Sequence, residues 1–138
     1  MEAKLTYVNG LKFVAEAGSG HAIVVDGSPE DGGDNAGLRP SELLMIALGG
    51  CSAMDVISIL KKKRQDVTGF EINVRGDKTE THPKRFKSLT VEYVVKGKGI
   101  DEEAVKRAIE LSLGKYCSVK ATIEGGVHIS HVYKIIEV

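Results

Sequence analysis

The chain has 138 residues with 19 basic and 19 acidic side chains, so its formal net charge is zero. That balance lacks the basic excess of a nucleic-acid-binding protein. The length fits a single domain over residues 1–138, which can bury about two-thirds of its unfolded surface without a metal or disulfide.

No stretch of apolar residues reads as long enough to span a bilayer, and Met1-Glu2-Ala3-Lys4 lacks the basic-then-apolar order of a leader. Both point to a cytoplasmic protein with reduced thiols and no membrane partner. In chain order, Leu5–Val8 and Leu11–Val14 flank Asn9-Gly10, a two-residue hairpin signal. His21–Val25 reads as a third strand. Residues 26 to 39, rich in Gly, Asp, Pro and Asn, read as a long loop. Pro40 suits the first turn of a helix. From Leu43 to Met54 there is no charged residue, and Lys61–Arg64 closes the segment with positive charge. A helix apolar on every face belongs in the middle of a structure. A chain this small offers little to cover it, which predicts a homodimer burying residues 43 to 60 partly against a partner subunit. Gly49-Gly50 costs this helix roughly 1 kcal/mol per glycine; a close approach by another element, or a kink before Cys51, accounts for the pair.

Phe70, Ile72 and Val74, and then Leu89, Val91, Tyr93 and Val95, alternate with polar residues as strands with one buried face do, although Val94 breaks the second pattern. Asp101 is the predicted cap of a second amphipathic helix, which Gly114 ends. A short helix from Cys117 to about Ile123 follows, and a last strand runs from Val127 to Val138. The order βββ-α-ββ-α-α-β reads as α+β, with mostly antiparallel sheets packed on a buried central helix.

Two cysteines carry the chemistry in this sequence. Cys51 follows Gly49-Gly50 in the most apolar stretch, and Cys117 opens a short helix. The thiolate is the nucleophile, and a helix N-terminus lowers a thiol pKa. Burial of Cys51 works the other way, so a cation or a set of donors must compensate; Arg39 and His21 are the candidates. Arg39 is placed to pair with Glu42. Asp55, one turn beyond Cys51, opposes a thiolate unless its carboxylate is engaged elsewhere, and it reads as a structural hydrogen-bonding group. Buried free cysteines are also commonly inert packing residues. His128 and His131 point to opposite faces of a strand, and no C-x-x-C or H-x-x-x-H spacing occurs, which predicts no metal.

Leu38-Arg39-Pro40-Ser41-Glu42-Leu43-Leu44, Gly49-Gly50-Cys51-Ser52-Ala53-Met54-Asp55-Val56 and Cys117-Ser118-Val119-Lys120-Ala121 together resemble the signature of the OsmC/Ohr family (osmotically induced protein C and organic hydroperoxide resistance proteins). In detail they are similar to a less characterised OsmC-like subgroup. The resemblance extends over nearly the whole chain in element order. It implies an intertwined α+β homodimer with active sites at the subunit interface, and thiol-dependent reduction of hydroperoxides, preferably organic. Cys51 matches the peroxidatic cysteine, Cys117 the resolving one, and Glu42 the family's glutamate near the start of the central helix. The family's early arginine has no counterpart: residues 17 to 22 read Ala-Gly-Ser-Gly-His-Ala, and Arg39 is the first arginine. The implied cycle needs no cofactor but draws on an external dithiol reductant of lipoyl or small-thiol type. The alternative is an OsmC-like dimer that binds a small ligand or senses redox state without efficient peroxidase activity.

Overall fold

A computed structural model describes all residues, 1–138. Its elements are β1 (Ala3–Asn9), β2 (Lys12–Ala17), β3 (Ala22–Val25), α1 (Pro40–Lys62), β4 (Asp66–Lys78), β5 (Phe86–Lys98), α2 (Glu102–Leu111), α3 (Ser118–Ile123) and β6 (His128–Glu137), with a 3-10 turn at Pro29–Asp31 and a π-helical turn at Ser112–Tyr116. The fold is α+β in the predicted order. Two compact units divide it, Met1–Leu44 and Met45–Val138.

The first unit holds an antiparallel sheet, β1-β2-β3. Asn9 pairs with Lys12, so the hairpin turns on Gly10-Leu11, one residue later than predicted, with Gly10 at φ 54°. Glycine adopts that conformation at no steric cost. The sheet is poorly covered: Leu5 is 58% and Tyr7 60% exposed. After β3 the chain folds around Asp26, whose buried carboxylate accepts the amides of Gly27, Asp34 and Ala36. Leu38 then bridges back to Val25, and this delivers the chain to Pro40.

In the second unit β5 is the central strand of β4-β5-β6. Strand β4 pairs with it antiparallel from Asp66↔Lys98 to Lys78↔Phe86. Strand β6 pairs with it parallel, from Ser88↔His128 to Gly97↔Glu137, so this sheet is mixed rather than antiparallel. The reason is the connection. Residues 99–127 carry two helices and the π turn, and a crossover of that length returns the chain in the same direction. Leu89, Val91, Tyr93 and Val95 are fully buried on one face of β5, and Leu48, Val56 and Leu60 of α1 and Val105, Ala108 and Ile109 of α2 are buried apolar residues of this unit's helices. Val94, on the other face, is 3% exposed; its register neighbours are Glu71 and Lys134, whose long side chains can cover it.

Asp101 caps α2 as predicted, its carboxylate accepting the Glu103 N–H at 3.1 Å. Gly114 does not end the helical path. The chain continues through it as the π turn and stops at Cys117, whose backbone is extended. Helix α1 ends without a glycine: Arg64 takes φ 56°, and the Arg64 and Gln65 amides donate to Lys61 and Leu60.

Helix α1 is apolar in composition but not buried all round. Leu48, Ser52, Val56 and Leu60 form a buried stripe at helical spacing, whereas Ile46, Gly50 and Met54 form an exposed one. By length and composition alone this helix could cross a membrane, with a mean hydropathy of 2.0 in its best window. That corrects the sequence reading, which ended the apolar run at Asp55. Core helices of soluble proteins meet the same criterion, and here 28% of that window is buried.

The glycine pair resolves into two different positions. A Cβ on Gly49 meets Val74 Cγ2 at 2.8 Å and Ile72 Cγ2 at 3.4 Å, whereas one on Gly50 meets nothing within 4 Å. Close approach by β4 therefore accounts for Gly49. Overpacking costs about 1–3 kcal/mol against a helix gain of about 1 kcal/mol for alanine, and Val74 is too stiff at χ1 to swing aside freely. Gly49→Ala is expected to lower the urea midpoint while Gly50→Ala does not; equal shifts would remove the packing explanation.

Candidate active site

Both cysteines lie in the second unit, Cys51 midway along α1 and Cys117 between the π turn and α3. Both are free thiols, Cys51 half-buried and Cys117 buried. Cys117 is fixed at two atoms. Its N–H donates to the Ser112 carbonyl at 2.7 Å. Its Sγ accepts the Lys120 N–H at 3.4 Å, so the sulfur is the cap of α3, in the place where an oxygen usually serves. That placement turns the start of α3 toward Cys51, whose Sγ lies 3.9 Å from Ser118 Oγ.

The environments of the two thiols push their pKa values apart. Desolvation raises that of Cys51, but the Val119 amide, the Cys117 thiol, and the Ser118 hydroxyl and amide outweigh it, and the net shift is downward. Desolvation is also the largest influence on Cys117. The Lys120 and Val119 amides oppose it, Cys51 adds to it, and the net shift is upward. The first negative charge therefore belongs on Cys51, with Cys117 protonated beside it. The thiolate is held by amides and hydrogen-bond donors of the Cys117–Val119 segment. Iodoacetamide alkylation of Cys51 is expected to show its pH midpoint below that of a free thiol, about 8.5. Cys117, followed in the same wild-type protein by peptide-resolved mass spectrometry, is expected to show its midpoint above it. Coincident midpoints would deny the asymmetry.

A buried hydroxyl chain adjoins the pair. Tyr93 OH lies 2.6 Å from Ser52 Oγ, Ser52 Oγ lies 2.8 Å from Ser112 Oγ, and Ser112 Oγ donates to Asp55 Oδ2 at 2.9 Å. Tyr93, Ser52 and Ser112 are fully buried. A hydroxyl has one proton. Ser112 spends its own on the carboxylate, so it accepts from Ser52, and Ser52 accepts from Tyr93. Burial, opposed by the Ser52 hydrogen bond and reinforced by Cys117, once that thiol ionises, and by Asp55, pushes the Tyr93 pKa up to about 12. The phenol therefore stays protonated as a donor. Asp55 has the structural role the sequence suggested, its carboxylate tied to Ser112.

Arg39, Glu42 and His21 belong to the first unit. The Glu42 carboxylate accepts the backbone N–H of Arg39 at 2.8 Å, so it closes the start of α1 as a capping box does. The Arg39 guanidinium donates to the Gly37 carbonyl at 2.9 Å rather than to Glu42, which corrects the expected side-chain pair: the backbone amide is nearer than the far end of the arginine. His21 Nδ1 lies 3.3 Å from Ser19 Oγ on the exposed turn before β3.

A family model for OsmC-like proteins matches residues 32–132. The chain belongs to the OsmC-like family. It is 41% identical over 136 residues to Protein YhfA of Escherichia coli strain K12, an alignment covering 99% of this chain and 98% of that protein. The crystal structure of a hypothetical protein from Aquifex aeolicus VF5 is 34% identical, with a TM-score of 0.80 over 97% of this chain and 96% of that one. The organic hydroperoxide resistance protein OhrB of Bacillus subtilis has a TM-score of 0.64 at 19% identity, over 97% of this chain and 98% of that one; this is a likeness of fold.

Within this OsmC-like site, sequence reasoning placed the two cysteines and missed what surrounds them. Backbone amides carry no residue signature, so the donors at Ser118 and Val119 could not be read as such. Ser52 and Ser112 stand 60 positions apart, and nothing in either neighbourhood points to the other. The one available clue was a serine beside Cys51 in an otherwise aliphatic run, where a hydroxyl needs a partner.

Proposed function

We propose that this chain reduces hydroperoxides, organic ones by preference, through a Cys51/Cys117 redox pair. The observation that supports the reading most directly is the polarity of the pair: Cys51 is the more acidic thiol, and Cys117 stands protonated within interaction range of it. The Cys51 thiolate attacks the distal peroxide oxygen, the O–O bond breaks, and the alkoxide leaves and takes up a proton as the alcohol. Cys51 is left as sulfenic acid. The Cys117 sulfur attacks it, an S–S bond forms, and the hydroxyl departs as water with the Cys117 proton. An external dithiol then reduces the disulfide by exchange and is itself oxidised. The chain needs no metal or organic cofactor in this cycle. Glu42 serves at the start of α1, where its carboxylate closes the first turn on the Arg39 N–H.

The working form is a cytoplasmic homodimer. The exposed Ile46–Gly50–Met54 stripe of α1 and the uncovered apolar residues of the first unit's sheet support it. Helix α1 is read as a core helix of that dimer and not as a membrane span, because Ser52 and Asp55 near its middle are tied into the hydroxyl chain.

One equivalent of cumene hydroperoxide, followed by mass spectrometry, tests the enzymatic reading. Loss of two hydrogens in an intrachain Cys51–Cys117 disulfide, with one cumyl alcohol released, is the expected result. Thiols that stay reduced would leave the chain as a small-ligand-binding member of its family.

A further inference from the structure

Ser112 is held from both ends of its backbone and side chain. Its hydroxyl joins Ser52 and Asp55 of α1, and its carbonyl accepts the Cys117 N–H at 2.7 Å. Ser52 is the residue directly after Cys51. A single hydrogen-bonded chain thus grips the neighbour of one cysteine and the backbone of the other.

We propose that the hydroxyl chain Tyr93–Ser52–Ser112, closed on the Asp55 carboxylate, is the positioning device that sets Cys117 within bonding reach of Cys51. The inference deepens the two-thiol reading and rests on it. Packing alone gives no reason for the chain: buried hydroxyls in an aliphatic core cost free energy unless every one is satisfied, and apolar residues of the same size fill such space as well. Its location gives a reason. Cys117 follows a π turn, an i→i+5 widening of the helical path that is rare outside single-turn bulges. A residue slipped or rotated there would carry the Cys117 sulfur away. The tie from Ser112 to α1 and β5 fixes that register. The carboxylate also sets the direction of every donor in the chain, which leaves one arrangement of its protons rather than two.

Positioning residues of this kind are tested through the geometry they impose, independently of peroxide chemistry. Diamide, which takes two electrons and two protons from a pair of thiols, is used to oxidise the protein in the presence of glutathione. The ratio of intrachain disulfide to glutathione mixed disulfide at Cys51 reports the effective concentration of Cys117. Asp55→Ala removes the terminal acceptor, and Asp55→Asn keeps an acceptor oxygen. The ratio is expected to fall about ten- to hundredfold in Asp55→Ala, the scale on which small misplacements are felt, and to stay near the wild-type value in Asp55→Asn. A wild-type ratio in folded Asp55→Ala, or an equal loss in Asp55→Asn, overturns the inference. Should Asp55→Ala fail to fold, Ser112→Ala is read by the same ratio and the same criterion. A wild-type protein that closes its disulfide with diamide but ignores hydroperoxide loses the peroxidase reading and keeps this one. Failure to close even with diamide sinks both.

Discussion

Cys51→Ser is expected to lower hydroperoxide consumption by about a thousandfold or more, the scale on which removal of a covalent nucleophile is felt. Serine fills nearly the same space, and its hydroxyl can keep the contact to Ser118 Oγ, so the fold should survive. What is lost is the anion, because the amides of the Cys117–Val119 segment that favour a thiolate cannot bring a serine hydroxyl to ionise near neutral pH. Cys117→Ser separates the two halves of the cycle. Serine is a good helix cap, so the Lys120 N–H keeps an acceptor and α3 keeps its first turn. One equivalent of hydroperoxide should still be reduced, after which the protein stalls with Cys51 as a sulfenic acid that dimedone traps. Undiminished peroxide consumption by Cys51→Ser, measured by ferrous oxidation–xylenol orange, would end the enzymatic proposal.

Met54→Asp is expected to weaken the proposed dimer by at least about a hundredfold, read as a shift from twice the chain mass to the chain mass in sedimentation equilibrium. Met54 is 73% exposed and shares a helical stripe with Ile46, 53% exposed, and with Gly50. A long apolar side chain, a second one and a glycine at that spacing make a surface suited to close packing against another helix. Under two-fold symmetry the substitution adds two carboxylates to one seam, and an unpaired charge buried there costs several kcal/mol. Within the free chain the position touches solvent, so the variant monomer should retain its helix content by circular dichroism. Wild-type protein that sediments as a monomer at micromolar concentration would remove the dimer outright.

Much of the local architecture was legible because local physics decides it. Pro40 begins α1, and Asp101 caps α2 through the bond its residue type favours. Cys117 was correctly read as the start of a helix, and its role as the cap explains why the sulfur points where it does. The strands of the second unit showed their alternation, but only over the central residues. Their ends, out to Asp66 and Lys98, are held by pairing rather than by pattern. What the sequence hid was non-local. The parallel pairing of β6 depends on where a crossover deposits the chain. The π turn overrode Gly114 because Ser112 is anchored from α1, and Arg64 took the left-handed stop that a glycine usually signals. The site divides in the same way. The two cysteines were visible as residue types, whereas backbone donors and a hydroxyl chain assembled from α1, β5 and the π turn exist only in three dimensions.

Because β5 and β6 run side by side in the same direction, the segment that carries Cys117 is stitched to one sheet at both of its ends. It is a span with two abutments, unlike a tail or a swinging arm. The sulfur on it has little slack. A disulfide between the two thiols, if the proposed cycle holds, then calls for a turn of a side chain rather than a journey of a loop.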